Sequence, residues 1–228
     1  MKTFRRRAIV LRRVNYGDAD RIIDFITPEG RVSAVAKGVR KQKSKLAGGV
    51  ELFAVSDVMF GGGRGDMSIV ISARMEKFYQ NILGDYDRMQ FAYEAIGQVA
   101  SLSSDTDESG WFDMLESVLE ALNISSVDIR LIQAWFYVTV ADFMGESLNL
   151  SYDTDGNTLN QDSKYRYSVA EKGLEAAVNG NIAAGHIKLL RLLTTKSLNT
   201  LLQVGGVEEF LNDCLHVARS HAALKQKT

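Results

Sequence analysis

Residues 36–46 read AKGVRKQKSKL, and five of the nine residues from Lys37 to Lys45 are basic while none is acidic. The five are Lys37, Arg40, Lys41, Lys43 and Lys45, with Gly38 inside the run and Gly48-Gly49 just after it. Long cationic side chains on a glycine-bracketed loop can follow a phosphate chain, because they neutralise successive phosphates without reading base edges. A second set stands near the N-terminus: Arg5, Arg6, Arg7, Arg12 and Arg13, with Phe4 and Tyr16 close by as aromatic faces on which bases can stack. The plain alternative is a solvated lysine-rich loop that binds nothing.

Catalysis has less to work with. The glycines of 61–65 lack the Lys-Ser/Thr ending of a phosphate-binding loop and read as a hairpin turn. Arg64-Gly65-Asp66 resembles an adhesion tripeptide, but nothing makes the chain extracellular. Asp153, Asp155 and Asn157 suggest a calcium loop, yet Gly156 falls at the fourth position instead of the sixth and Lys164 stands where a bidentate glutamate is needed. Cys214, His216 and His221 are two and five residues apart, so on one helix they diverge around the axis and read as surface or core residues. The expectation is a noncatalytic protein with no cofactor, no metal and no catalytic residue.

The charge distribution sharpens this. The whole chain of 228 residues has net charge −1. Residues 1–77 hold 16 Lys and Arg against 8 Asp and Glu, a net +8, while residues 78–228 hold 11 against 20, a net −9. A basic module joined to an acidic body points to a polyanionic partner for the first. A single cysteine excludes an intrachain disulfide. There is no stretch suited to a signal peptide and no run of 18 apolar residues, so a cytoplasmic setting without membrane contact is expected.

The elements that must position these residues change character near Glu76. Before it the pattern predicts strands over 8–14, 21–27, 32–36, 51–60 and 67–74, with a turn at Pro28-Glu29-Gly30. In the last strand Met67, Ile69, Ile71 and Ala73 share one face, and Val70 breaks the polar alternation of the other. Five short strands suit a barrel that closes its own edges, the OB type leading. After it, helices are predicted over 85–102, 111–122, 126–144, 168–178, 183–202 and 207–224, the third apolar around most of its circumference and therefore interior. Residues 103–110 read as a solvated loop, and Asp155-Gly156 marks a tight turn within an irregular loop or hairpin at 148–167. The fold class is α+β: an N-terminal five-stranded OB-type barrel at 1–77 and an all-α domain at 78–228. On the 183–202 helix, Lys188, Arg191, Thr195 and Asn199 form a polar stripe beside leucines, which reads as a solvated face or as a receptor for an acidic, apolar-ended peptide.

The string IVLRRVNYGDADRIIDFITPEGRVSAVAKGVRKQKSKL (residues 9–46), followed by ELFAVSDVMFGGGRGDM, resembles the RecO family of bacterial recombination mediators. The likeness lies in Tyr16-Gly17-acid-x-Asp20-Arg21, the strand ending Ala36-Lys37-Gly38, and the basic loop with Ser44; it covers about the first third. The resemblance implies an OB domain and a helical domain, binding to single- and double-stranded DNA, and annealing of complementary strands. It also implies work at the bacterial nucleoid with RecR and the single-stranded-DNA-binding protein to load RecA. Many members hold a four-cysteine zinc site near the position of 148–167, where this chain has no cysteine, so zinc is expected to be absent. Two other readings stay open: an RNA-binding OB protein of translation or ribosome assembly, and an adaptor whose basic face meets an acidic protein.

Overall fold

The first strand, β1 (Thr3–Tyr16), serves two neighbours. Its first half pairs antiparallel with β4 (Ala54–Gly61) and its second half with β2 (Asp20–Thr27), and Ile9 pairs with both Val55 and Ile26. The register shifts between Val10 and Arg12, an irregularity that bends the strand and lets it change partners. β3 (Gly30–Ala36) follows β2 through the Pro28-Glu29 turn, and β5 (Ser68–Phe78) pairs with β4. The order is β1-β2-β3-β5-β4 with β4 returning to β1. The seam between β3 and β5 is parallel and short, Ala34 with Ser68 and Val35 with Ile69. This computed structural model describes residues 3–63, 67–104 and 109–223. Arg64-Gly65-Asp66, part of the expected 103–110 loop, and the end of the last expected helix lie outside them.

The barrel is filled by Ala8, Val10, Ile23, Phe25, Ala34, Ala36, Val58, Phe60 and Val70, with Val39 and Val50 from the β3–β4 connection closing one end. Phe4 stacks on Phe60 at 5.2 Å, so it belongs to this packing. The expected faces of the fifth strand are kept on one side of Ile71 only: Ala73 packs against the core, but the residues before the bulge are reversed. Val70 enters the core, and Ile71 is 48% exposed. The cause is a bulge: Phe60 pairs with Val70 and Met59 with Ser72, which leaves Ile71 as an extra residue and switches the alternation.

The chain divides into two compact units, Met1–Ile124 and Ser125–Thr228. The strands end near the sequence boundary at 77/78, but the first unit runs on because α1 (Tyr86–Leu102) and α2 (Trp111–Leu122) belong with the barrel. Asp85 caps α1 by accepting from the Arg88 N–H. Arg31 Nη1 donates to the Ala100 carbonyl of α1 at 2.9 Å.

The second unit is built on α3 (Ile129–Phe143), interior as expected, with Leu131, Ile132, Trp135, Phe136, Val138 and Val140 buried. α4 (Ala184–Thr195), the short α5 (Leu198–Leu201) and α6 (Leu211–Ala222) complete its helices. The expected 183–202 helix is two helices, broken at Lys196-Ser197, where the Ser197 side chain caps α5. The unit is also not all helical. The helix predicted over 168–178 is a hairpin of β6 (Tyr165–Ser168) and β7 (Gly173–Ala176). Its turn places Lys172 at φ 53, a left-handed conformation that lysine does not advertise. The Asp155-Gly156 turn forms as expected, with Gly156 at φ 84 and Tyr152 bridging to Thr158. The Asp153 carboxylate accepts from the N–H groups of Asp155 (3.0 Å) and Asn157 (2.8 Å), so local backbone donors occupy the oxygen a cation would need.

A buried histidine ties this unit together. His221 Nε2 lies 2.7 Å from the Glu146 carbonyl and Nδ1 lies 2.8 Å from the Tyr167 hydroxyl. The carbonyl can only accept, so Nε2 carries the proton and Nδ1 accepts from Tyr167. Burial lowers the pKa of His221, and Lys172 adds to this; the Glu146 hydrogen bond and charge oppose it. The unfolded histidine, near 6.5, therefore takes up its proton first as pH falls. This stability is present above about pH 6.5 and is lost as pH drops toward the folded value. The denaturation midpoint should fall between about pH 7 and about pH 5.5, and His221→Gln should remove that component in urea titrations at both values.

Candidate nucleic-acid interface

The basic run is an ordered loop. Gly38 takes φ +64, and its N–H donates to Asp20 Oδ1 at 2.7 Å. Arg40 N donates to the Ala19 carbonyl at 2.9 Å, and Arg40 Nη1 reaches the Gly17 carbonyl at 3.3 Å. Two turns follow, closed by Lys41 N to Gly38 O and Ser44 N to Lys41 O. Between these polar tethers Val39 is buried in the barrel end. The Tyr16–Asp20 stretch thus holds the 37–45 loop in place, and the sequence places those two segments far apart.

Lys37, Arg40, Lys41, Lys43 and Lys45 are all exposed. Among the described residues none of them makes an ion pair, and neither does the exposed Arg12. The other N-terminal arginines differ. Arg5 pairs with Asp57, its Nε 2.7 Å from Oδ1. Arg6 lies 2.8 Å from Glu29. Arg7 makes a two-pronged pair with Glu116 of α2, the closer contact 2.5 Å, reaches Glu76 at 3.1 Å, and lies over the Phe112 ring. The Glu116 hydrogen bond raises the Arg7 pKa. Arg13 meets Glu51 at 2.8 Å. The charge excess of the first 77 residues is therefore not spread evenly: the loop presents bare cations, and four of the five strand arginines already have carboxylates.

Beside the loop, the outer face of the sheet carries an apolar row that the sequence reading missed. Val14 pairs with Ile22, Ile22 with Val35, and Val35 with Ile69, four apolar side chains in register across β1, β2, β3 and β5. Their alternates Ile23, Ala34 and Val70 point into the core, so the row faces out. Val14 is 40% exposed and Tyr16, at the end of the same strand, 56%. Ile22, Val35 and Ile69 floor a groove of about 600 Å³ that Tyr16, Asp20 and Lys37 border on one side and Gly62, Gly63 and Met67 on another. The signal was available as residues that break the polar alternation of strands β2 and β3. The groove lies between the β1–β2 and β4–β5 loops, across strands 2 and 3, where OB barrels take oligonucleotides and oligosaccharides.

In the second unit, Lys188 and Arg191 are exposed on α4, and Arg191 donates from both Nε and Nη2 to the Leu150 carbonyl. They border a groove with Leu148, Leu150 and Leu192. Thr195 continues the expected stripe on α4, but Asn199 falls on α5 beyond the break. Burial pushes the Cys214 thiol up to about 12, so it offers no thiolate; His216 is exposed while His221 is buried. Among the described residues no group of three or more His, Cys, Asp or Glu is placed to hold a metal ion, and no helix is long and apolar enough to cross a membrane.

Residues 1–79 match the family model described as Recombination protein O N terminal. The DNA repair protein RecO of Rubrobacter xylanophilus is 33% identical over 146 residues, 64% of this chain and 58% of that protein. That of Roseiflexus sp. is 34% identical over 132 residues, 57% of this chain and 46% of that protein. That of Alkaliphilus metalliredigens is 28% identical over 195 residues, 85% of this chain and 78% of that protein. The matched stretch thus spans about half the length of the first two relatives.

The pairing of the strand arginines has a measurable consequence. Arg7→Ala should cost about 1 kcal/mol of stability, as expected for a partly exposed ion pair. It should leave oligonucleotide affinity within about twofold of the parent, since Arg7 is already neutralised. Thermal denaturation and fluorescence anisotropy check the two halves.

Proposed function

From the premise that the chain belongs to the RecO family, we propose that it is a DNA-binding recombination mediator in DNA repair that binds single- and double-stranded DNA and anneals complementary strands without catalysing a covalent step. One observation carries the reading: five exposed cations that make no ion pair among the described residues stand beside an outward apolar row that ends at Tyr16. Phosphates lie along Lys37, Arg40, Lys41, Lys43 and Lys45, and bases rest on Val14, Ile22, Val35, Ile69 and Tyr16. Annealing needs the repulsion between two phosphate backbones lowered while base edges stay free, and sequence-neutral cations do that. Arg12 extends the cationic surface, whereas Arg5, Arg6, Arg7 and Arg13 are held by carboxylates of their own.

The same reading extends to partners. The protein acts at the bacterial nucleoid with RecR and with the single-stranded-DNA-binding protein, and through them helps load RecA. The groove bordered by Lys188, Arg191, Leu148 and Leu192 suits the acidic, apolar-ended tail of the single-strand-binding protein, its carboxylates on the cations and its apolar end on the leucines.

The test is annealing of complementary oligonucleotides, bare and coated with the single-strand-binding protein, in chelator and without nucleotide. Annealing is expected under both conditions; a requirement for nucleotide or metal, or preference for RNA over DNA of the same sequence, would overturn the reading. On a single strand, five engaged cations predict log K falling with log salt at about −3.5. Replacing Lys37, Arg40, Lys41, Lys43 and Lys45 with alanine should weaken binding to all sequences alike and flatten that slope. Tyr16→Ala should weaken single-strand binding by about 1–3 kcal/mol and leave the slope unchanged, because it removes stacking and no charge.

A further inference from the structure

The loop that carries the bare cations is held from one side by an acid. Asp20 Oδ1 accepts the Gly38 N–H at 2.7 Å, directly beside Lys37 and two residues before Arg40. The neighbouring Arg40 N–H goes to the Ala19 carbonyl at 2.9 Å, and Val39 between them is buried. Gly38 stands at φ +64, so the chain reverses at the point that Asp20 grips. Asp20 itself opens β2, paired with Tyr16 across the turn, and lines the groove.

We infer that Asp20 is a positioning residue for DNA binding: its carboxylate latches the 37–45 loop to the β1–β2 turn and so fixes the cations along one side of the apolar groove. This rests on the proposed DNA-binding role of the loop. Two effects of the same side chain oppose each other. As a charge, Asp20 repels phosphate and lowers the local positive potential. As an acceptor, it pre-organises cations that would otherwise be spread over many loop conformations, and an unlatched loop binds with an affinity reduced by the fraction of time it is in place. If charge dominated, removing Asp20 would tighten binding. The geometry points the other way, because the bond is short, the donor is a backbone N–H at the point where the chain reverses, and the loop has no carboxylate of its own.

Asp20→Asn and Asp20→Ala separate the two. Both remove the charge, and only asparagine keeps an oxygen that can accept from Gly38. Single-strand affinity is measured by anisotropy at several salt concentrations, and trypsin cleavage within 37–45 is followed in the free, folded variants. Asp20→Asn should bind as tightly as the parent or more tightly and resist trypsin equally. Asp20→Ala should bind roughly threefold to tenfold more weakly than Asp20→Asn, the range of one lost hydrogen bond, and be cut faster in the loop. Equal affinity of the two variants, or weaker binding by Asp20→Ala with unchanged cleavage, overturns the latch. The five-alanine loop variant is run alongside. If it binds like the parent, the role of the loop in binding fails, whereas cleavage still reports whether the latch exists.

Discussion

A strand that must serve two neighbours is the constraint on which the first unit depends. β1 closes the barrel only because it is 14 residues long and shifts register between Val10 and Arg12. Its first half belongs to β4 and its second half to β2, with Ile9 shared. This division sorts the side chains as well as the hydrogen bonds. The half beside β4 carries Arg5, Arg6 and Arg7, where Asp57 on β4 and Glu116 on α2 meet them. The half beside β2 ends at Tyr16, next to the loop and the groove. One strand therefore supplies the structural ion pairs at one end and, at the other, the exposed face proposed to meet DNA.

The sorting decides what the charge excess means. An arginine already bonded to a carboxylate offers a phosphate little, because binding must break the existing pair or share it. Arg7 is the clearest case, with Glu116 and Glu76 on its guanidinium and the Phe112 ring beneath it. A loop lysine that makes no ion pair among the described residues has lost nothing beforehand, and the one acid beside the loop, Asp20, spends an oxygen on the Gly38 N–H. The field of the first 77 residues is thus directed toward the loop, and the acids on α2 and β4 give it that direction.

Much of this was legible in the sequence, and the failures have particular causes. Strands, helices, the basic loop and the Asp155-Gly156 turn could be read because alternation, helical periodicity and turn residues are local signals. The start of β1 was missed because Arg5-Arg6-Arg7 reads as a charge run; its strand character comes from pairing with Met59, Val58 and Asp57 of β4, far along the chain. The faces of β5 reverse from those expected before Ile71 and not after it, because a bulge there is invisible without its partner strand. The sequence predicts a helix over 168–178 where the β6–β7 hairpin stands, because its turn uses Lys172 at positive φ, where no glycine or asparagine gives warning. The site was half visible: the cations announce themselves, but the apolar row exists only when four strands are laid side by side, and the grip of Asp20 on Gly38 spans 18 residues.

The composition of the row bears on how the proposed annealing can proceed. A surface that binds single strands through deep aromatic stacks would compete with base pairing, since each stacked base gains about 1–3 kcal/mol. Here the row is aliphatic, with Tyr16 the one aromatic at its end. The grip on bases is therefore of the order of a single stack. Each base-pair step of a growing duplex gains about 1.4 kcal/mol, so ten steps outweigh that grip several times over. The cations lose nothing in the exchange, because a duplex presents more phosphate per length than a strand does. On this balance the proposed annealing would hold a strand long enough to meet its complement and release it from the groove by pairing, while the loop would keep hold of the product by its backbone.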